Sequence, residues 1–233
     1  MELKFASYNI HKAVGTDGRR DPERIVRVLR EIDADIIALQ EADLRFGERA
    51  SVLSRAALDD THWRPAAVWQ RPRSLGWHGN ALLVRREFEI VDAHALHLPT
   101  LEPRGAVRAD IVAHGHRLRV IGTHLDLSGL RRRDQLRAIL SHLDECDGDP
   151  PSVLMGDFNQ WGGASGAMTE FGRGWHLLAT GRSFPSRRPM ASLDRIVASK
   201  HWRPGDSGVH HSADATNASD HLPVWARLHL PKK

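Results

Sequence analysis

The stretch that decides the fold opens the chain and reads LKFASYNIHKAVGTDGRRDPERIVRVLREIDADIIALQE, residues 3–41. Short apolar runs at 3–10 and 35–40 predict buried strands, and both runs end in polar residues. Between them, Asp21 followed by Pro22 is typical of a helix start, because the aspartate caps free amides and proline tolerates the first helical position. An apolar stripe at helical spacing follows. The stretch therefore predicts strand, helix, strand.

The rest of the chain predicts many strands and few helices. We expect helices over 49–58 and 131–143, and strands over 80–85, 88–98, 105–113, 117–124, 151–155, 193–198 and 222–230. The glycine-rich region after residue 159 predicts loops. Since no repeat or linker separates these segments, we predict one domain over residues 1–233.

Composition narrows the classes of protein. With 41% hydrophobic and 27% charged residues, the 233-residue chain can bury a sizeable core. A surplus of 33 Lys and Arg over 29 Asp and Glu suits an anionic substrate but is weaker than the clustering of a DNA-coating protein. Cys146 is the single cysteine, so we expect a reducing, cytoplasmic setting. No apolar run approaches the roughly 20 residues of a membrane span, and no obligate protein partner is indicated.

Polar residues recur at the ends of the predicted buried runs. They are Asn9, Glu41, Asn80, His124, Asp157, Asn159 and Asp194. Polar groups are costly inside a core, whereas strand ends can aim several of them at one crevice. Near the end of the chain, Asp220 and His221 add a carboxylate beside an imidazole. The repetition predicts one shared site.

The donor chemistry of this set indicates a hard metal ion. Oxygen donors without a thiolate come from Glu41, Asp157, Asn159 and Asp220, with Asn9 nearby. Such donors suit Mg²⁺, with Mn²⁺ as an alternative, and substrate phosphate completes the coordination. Two histidines, His124 and His221, would bind phosphate oxygens or move protons. The combination predicts metal-assisted hydrolysis of a phosphate ester.

Seven motifs resemble, in order and roughly in spacing, those of the endonuclease/exonuclease/phosphatase superfamily, which includes DNase I. They read SYNIH at 7–11, LQE at 39–41, GNALL at 79–83, THL at 123–125, GDFN at 156–159, LDRI at 193–196 and SDHLP at 219–223. The resemblance covers nearly the whole chain. It implies a DNase I-like, four-layer α/β/β/α sandwich, in which helices flank two mixed sheets.

The resemblance also implies roles for single residues around the metal. Glu41 would bind the catalytic ion, and Asn9 and Asp220 would complete the metal-phosphate site. Substrate contacts are expected from Asn80 and Arg104.

The remaining implied roles concern the attacking water and the phosphate. Asp157 would orient or deprotonate the water, and Asn159 would hold water or phosphate. His124 would donate to the phosphate in the transition state, while Asp194 would orient His221 beside it. Whether Asp157 or His221 takes the proton stays open at this point.

Three features distinguish the chain from the family's nucleases. His11 stands where abasic-site exonucleases carry an acidic residue, so we expect it to contact substrate rather than a second metal. The motifs NIHK at 9–12 and EPRGA at 102–106 look like an uncharacterised bacterial branch. The chain is also compact, with little room for loops that grip duplex DNA.

We therefore expect a metal-dependent phosphoric ester hydrolase, most simply a phosphodiesterase acting on a phospholipid head group, a small diester or nucleic acid. One alternative is a structure-specific or abasic-site DNA endonuclease or exonuclease, favoured by Arg71, Arg73 and residues 131–133 near Trp69 and Trp77. Another is a non-catalytic module that binds a phosphate ligand. A zinc site at 114 and 116 or at 210 and 211 lacks suitably spaced partners.

Overall fold

Two sheets of six strands each form the centre of the computed structural model, which describes residues 1–45, 47–68, 72–100, 104–163 and 165–231. In spatial order the first sheet contains β11 (Arg203–Val209), β12 (Val224–His229), β1 (Glu2–Asn9), β2 (Ile36–Gln40), β4 (Ala81–Arg85) and β3 (Trp63–Pro65). The second contains β5 (Glu89–His97), β6 (Gly105–Ala113), β7 (His116–His124), β8 (Ser152–Asp157), β10 (Asp194–Ser199) and β9 (Trp175–Leu177). Each sheet is mixed, because β1 with β2 and β7 with β8 are parallel pairs among antiparallel neighbours.

Helices cover the outer face of each sheet. On the first sheet, α1 (Pro22–Ile32) packs its apolar stripe into one core cluster with outward residues of β1 and β2. On the second, α3 (Gly129–Glu145) contributes Leu136 and Ile139 to a cluster with β7, β8 and β10. A third core lies between the sheets. This arrangement confirms the four-layer α/β/β/α sandwich.

The predicted start of α1 is confirmed in detail. Asp21 precedes the helix, and its side chain accepts a hydrogen bond from the amide of Arg24 at 3.0 Å. Pro22 is the first helical residue.

Among the described residues, no helix has both the length and the apolar character needed to cross a bilayer.

Strand alternation carries polar residues from the inter-sheet core to one end of the sandwich. In β8, Val153 and Met155 face the opposite sheet, so Asp157 faces it as well. The register places Asp157 beside His124 of β7 on one side and Asp194 of β10 on the other. Three polar side chains therefore form a row across three strands.

Close approach of two strands requires glycine just before Asp157. A Cβ atom at Gly156 would lie 1.8 Å from the carbonyl oxygen of Thr123 on the neighbouring strand. Only a residue without a side chain lets β8 pair with β7 at this point. The glycine of the GDFN motif thus fixes where Asp157 lies.

The predicted helix over 49–58 is wrong over most of its length. Only α2 (Arg55–Asp59) is helical, and it begins after Ser54, whose side chain accepts from the amide of Ala57. The preceding residues instead bond to the segment that follows β2: Val52 donates to the carbonyl of Ala42 at 2.8 Å. Tertiary hydrogen bonds override helical spacing here.

The other predicted elements are found with shifts of at most two residues at their ends. Among the described residues, three strands and one α-helix were not predicted: β3, β9, β11 and α4 (Ala213–Ala218). Strand β11 reads RPGDSGV, whose proline and glycines are poor strand formers. It forms because it pairs with β12 at the sheet edge.

A charged cluster covers part of the second sheet's outer face. Asp110 is 1% exposed and accepts from Arg119 at 2.8 and 3.0 Å and from Arg117 at 2.9 Å. Burial opposes ionisation of Asp110, but hydrogen bonds from these arginines outweigh it and lower its pKa. Arg108, also buried, lies 3.8 Å from the same carboxylate.

Replacing Asp110 by Asn should lower the free energy of unfolding by about 3 kcal/mol or more at neutral pH, because it leaves buried guanidinium charges unpaired. Urea denaturation measures the loss. The difference from wild type should shrink as the pH falls below about 4, because Asp110 then takes up a proton in the unfolded chain first, while its lowered pKa keeps it charged in the folded protein to more acidic pH. As a matched control, Arg117→Ala should cost below about 1 kcal/mol, since this side chain is 57% exposed. Equal losses in both variants would contradict the assignment.

Candidate active site

A buried aspartate and histidine pair lies at the centre of the site. The Nδ1 atom of His221 lies 2.8 Å from Oδ2 of Asp194, and the Ser183 hydroxyl donates to the same oxygen. Burial disfavours a charged imidazole, but the Asp194 carboxylate and its hydrogen bond outweigh burial and raise the pKa of His221 to about 10. His221 is therefore an imidazolium near neutral pH, with Nδ1 donating to Asp194.

The carboxylate of Asp157 lies between two imidazoles. Its Oδ2 atom is 3.7 Å from Nε2 of His221 and 3.4 Å from Nε2 of His124. The side-chain amide of Asn9 donates to Oδ2 at 3.1 Å. The backbone amide of Asn159 donates to Oδ1 at 2.9 Å. Both oxygens are thus held in fixed directions in a site that is almost fully buried.

The second imidazole has the opposite protonation state. Burial lowers the pKa of His124 to about 3; Arg104 adds to the effect, and the charge of Asp157 opposes it. The guanidinium of Arg104 contacts Nε2 of His124. Since a guanidinium only donates, Nε2 accepts and His124 is neutral with its proton on Nδ1.

Hydrogen bonds hold the loop before β12 in place at both of its ends. The Ser219 hydroxyl donates to the carbonyl of Asn9 at 2.7 Å and accepts from the amide of His221 at 3.2 Å. The amide of Leu222 donates to the carbonyl of Ser183 at 2.8 Å. Ser219 and Ser183 were not predicted as site residues; the position of Ser219 directly before Asp220 was the available signal.

Two partly exposed carboxylates flank Asn9. Glu41 follows β2, adopts a left-handed backbone with φ of 54°, and contacts the Lys12 ammonium. Asp220 has one oxygen 3.8 Å from Nδ1 of His11. The Oδ1 atom of Asn9 accepts from the amide of His11 at 3.1 Å. The carboxylates thus lie at the two sides of the residue that also orients Asp157.

Two groups of side chains have donors that suit a metal. One is buried: ligand atoms of Asp157, Asp194 and His221 lie within 4.8 Å of one another. A protonated imidazole has no lone pair for a metal, so the raised pKa of His221 counts against this group. Glu41, Asp220 and Asn9 offer hard oxygen donors, and a cation already lies against Glu41 in the form of Lys12. That chemistry fits Mg²⁺ or Mn²⁺.

Other predicted residues lie at the edge of this centre. Asn80 is buried, and its amide donates to the carbonyls of Gly105 at 3.0 Å and Trp77 at 3.3 Å. These hydrogen bonds connect the turn before β4 to the start of β6. The predicted contact of Asn80 with substrate stays a prediction. The Asn159 amide group donates to the carbonyl of Leu125 at 2.9 Å.

An aromatic edge borders His221 and was not predicted. The Phe184 ring lies 4.8 Å from the imidazole, and the Trp161 ring lies 6.4 Å from Phe184. Trp161 is 66% exposed. By contrast, Trp63 and Trp202 are buried core residues. One of the seven tryptophans thus lines an apolar border of the site.

Two of the three arginines at the start of α3 that were expected to form a basic surface contact groups of the protein itself. Arg132 donates to the carbonyls of Asp126 and Leu127, and Arg133 lies 3.8 Å from Glu170. Trp69 and Arg71 lie outside the described residues. Within the described ranges, neither histidine pair considered for zinc belongs to a group of three possible ligands.

Comparison with known proteins identifies the family of the chain. Residues 6–221 match the model of the Endonuclease/Exonuclease/phosphatase family. The uncharacterized protein YbhP of Escherichia coli K12 is 28% identical over an alignment of 257 positions, which covers 99% of this chain and 97% of YbhP. The structure of an endonuclease/exonuclease/phosphatase from Bacteroides vulgatus matches with a TM-score of 0.80 at 19% identity, covering 99% and 100% of the two chains.

A third relative is the mannosyl-6-phosphatase of Bacteroides thetaiotaomicron, with a TM-score of 0.72 at 19% identity over 98% of this chain and 100% of that one. At such identities the structural likenesses show the fold, whereas the family match spans nearly all of the sequence. The chain therefore belongs to the endonuclease/exonuclease/phosphatase family.

Proposed function

We propose that the chain is a divalent-metal-dependent phosphoester hydrolase that acts on phosphodiesters by direct attack of water. The observation that carries the proposal is the buried Asp157 carboxylate between a neutral and a charged imidazole. Family membership supports the reaction class, because members generally hydrolyse phosphoesters. The mannosyl-6-phosphatase shows that this fold also accommodates a phosphatase.

Asp157 acts as the base that accepts the proton of the attacking water. His221 cannot serve in this role near neutral pH, because its pKa of about 10 keeps both ring nitrogens protonated. Asn9 and Asn159 fix the two oxygens of Asp157, which orients a lone pair for the water. The question that the sequence left open thus has a preferred answer.

His221 stabilises the negative charge that builds on phosphate in the transition state. Its Nδ1 proton is bonded to Asp194, so the Nε2 proton is directed to the side of Asp157, where the reaction takes place. Asp194 is a positioning residue that acts through His221. Because this charged donor is already in position before the reaction, the site does not have to rearrange in the transition state.

The role expected of His124 changes in this proposal. A neutral imidazole that accepts at Nε2 does not donate to phosphate from that atom. Instead, His124 orients the guanidinium of Arg104, and Arg104 supplies the charged donor on that side. The phosphate would then lie between Arg104 and His221, which are on opposite sides of Asp157.

Glu41, Asn9 and Asp220 would hold Mg²⁺ or Mn²⁺ at the more exposed edge. When bound, the ion would polarise a phosphoryl oxygen and neutralise developing charge. Lys12 would have to release Glu41, since both cations need the same carboxylate. His11 would remain beside Asp220, where its ring can contact substrate.

Replacing Asp157 by Asn should lower kcat/KM for bis-p-nitrophenyl phosphate by about 10² to 10⁴, the range for loss of a general base. Asparagine keeps the shape of the side chain but cannot accept the proton. Release of p-nitrophenol in the presence of Mg²⁺ measures the effect, and a urea denaturation curve checks that the variant is folded. Arg203→Gln, at an exposed position on β11, is the control and should retain wild-type activity. A folded Asp157→Asn enzyme with most of its activity would rule out the assigned base.

Chelation with EDTA should abolish hydrolysis, and added Mg²⁺ or Mn²⁺ should restore it, because the proposed ligands are hard oxygens.

Glu41→Gln should raise the Mg²⁺ concentration for half-maximal activity by about tenfold or more, the order of loss expected for a carboxylate contact to a cation. Asp194→Asn should lower kcat with little change in that concentration, since it acts on His221. Full activity in EDTA, or a metal response altered by Asp194→Asn and not by Glu41→Gln, would refute the arrangement.

A further inference from the structure

A cleft beside Glu41 contains two basic side chains, Arg45 and Arg49, that the proposed reaction does not use. It is lined by Lys12, Arg45, Arg49 and Arg104, together with the carboxylates of Glu41 and Asp43. The His124 imidazole also borders it, so the cleft opens directly from the candidate active site. A substrate bound at the reacting centre can extend into it without leaving the surface.

The charge balance of the cleft favours an anion. Among the described residues that line it, four basic side chains face two carboxylates, which gives a net charge of +2 with the histidines neutral. Asp43 is 7% exposed, and its Oδ2 accepts from the Ser74 hydroxyl at 2.7 Å and from the Gly79 amide at 3.0 Å. Glu41 is matched by Lys12. Positive charge therefore predominates among the described side chains of the cleft.

Arg49 is held in place by the fold. Its Nη1 atom donates to Nδ1 of His78 at 2.8 Å. Both residues have a left-handed backbone, with φ of 49° and 50°, which non-glycine residues adopt at an energetic cost. Such conformations persist where the surrounding structure enforces them. The geometry therefore has the character of a built site.

Backbone hydrogen bonds support the segment that carries the two arginines. Leu44 donates to the carbonyl of Ala50 at 2.9 Å, and Ser51 donates to that of Arg73 at 2.8 Å. These bonds come from the same non-helical path that replaces the expected helix over 49–58. The path brings Arg45 and Arg49 to the wall of the cleft beside the loop that follows β2.

The size of the cleft limits the occupant. Its volume is about 100 Å³, which is small beside the roughly 300–1,000 Å³ of pockets that enclose whole small-molecule ligands. That space suits a single phosphate or carboxylate group. Arg132 and Arg133, at the start of α3, contact protein groups and are not among the described residues that line the cleft.

We infer that the cleft binds a second anionic group of the substrate, a phosphate or carboxylate separate from the phosphate that is hydrolysed. The substrate class is then a small phosphoester with two anionic groups. The inference rests on the proposed function for the position of the reacting phosphate. Arg49 and Arg45 bind the second group, and Arg104 lies between the two anions.

The binding test uses inorganic pyrophosphate titrated calorimetrically in EDTA, so that it does not depend on turnover. Arg49→Gln should weaken binding about tenfold, the order expected for loss of one charge-assisted hydrogen bond. Arg45→Gln, at an exposed position where folding is not at risk, should weaken it as well. Arg203→Gln is the matched control and should bind as wild type. Unchanged affinity in both cleft variants, or an equal loss in the control, would overturn the inference.

The kinetic test compares thymidine 5′-(p-nitrophenyl phosphate) with the same ester bearing a 3′-phosphate. Wild type should prefer the second ester by about tenfold in kcat/KM, mainly through KM, and Arg49→Gln should bring the ratio close to one. If neither ester is hydrolysed while pyrophosphate binding still depends on Arg49, the proposed function fails and the anion site stands. Single-stranded oligonucleotides could instead bind more tightly as their length increases, with affinity falling equally in Arg45→Gln and Arg203→Gln. That result would indicate a nucleic-acid surface and refute the small second site.

Discussion

The hydrogen bond between Asp194 and His221 is the interaction on which the rest of the site depends. Two charged groups are buried together, which is costly unless their geometry and remaining hydrogen bonds are good. The 2.8 Å contact and the Ser183 hydroxyl both stabilise Oδ2 of Asp194, whereas the buried Oδ1 atom has no hydrogen-bond partner among the described residues. With His221 held as a cation, Asp157 is free to act as the base. The same contact joins strand β10 to the loop before β12.

The two imidazoles show how neighbours assign opposite roles to one residue type. Both lie within 3.7 Å of the same Asp157 oxygen, and both are buried. His221 also contacts a carboxylate and has a pKa near 10, whereas His124 contacts a guanidinium and has a pKa near 3. Burial lowers the pKa of both rings; on His221 the Asp194 carboxylate outweighs burial, whereas on His124 the charge of Asp157 does not, and Arg104 adds to the lowering. The site thus has a charged donor at each edge and a neutral ring that orients one of them.

Much of this arrangement could be predicted from sequence, because the motifs lie at strand ends and strand ends meet at one edge. Asp157 and Asp194 were identified in this way, and the row they form with His124 follows from strand register. The protonation states could not be predicted, since they depend on contacts between residues distant in the chain. Ser183, for example, reaches Asp194 from a loop that has no motif of its own.

The positions of the arginines in the cleft beside Glu41 could not be predicted from the sequence. Apolar spacing over 49–58 indicated a helix, but backbone groups there pair with residues 42–44 and Arg73 instead. That pairing, rather than any local preference, places Arg45 and Arg49 next to Glu41. Local patterns predicted the secondary structure where it agreed with tertiary contacts and failed where those contacts dominate.

The stereochemical course at phosphorus tests the central claim most directly. A charged His221 cannot act as a nucleophile, so water at Asp157 must attack the phosphate itself. Hydrolysis of a chiral phosphorothioate diester in ¹⁸O-labelled water should therefore invert the configuration at phosphorus. Retention would reveal two successive displacements through a covalent enzyme intermediate, and it would contradict the roles given to Asp157, Asp194 and His221.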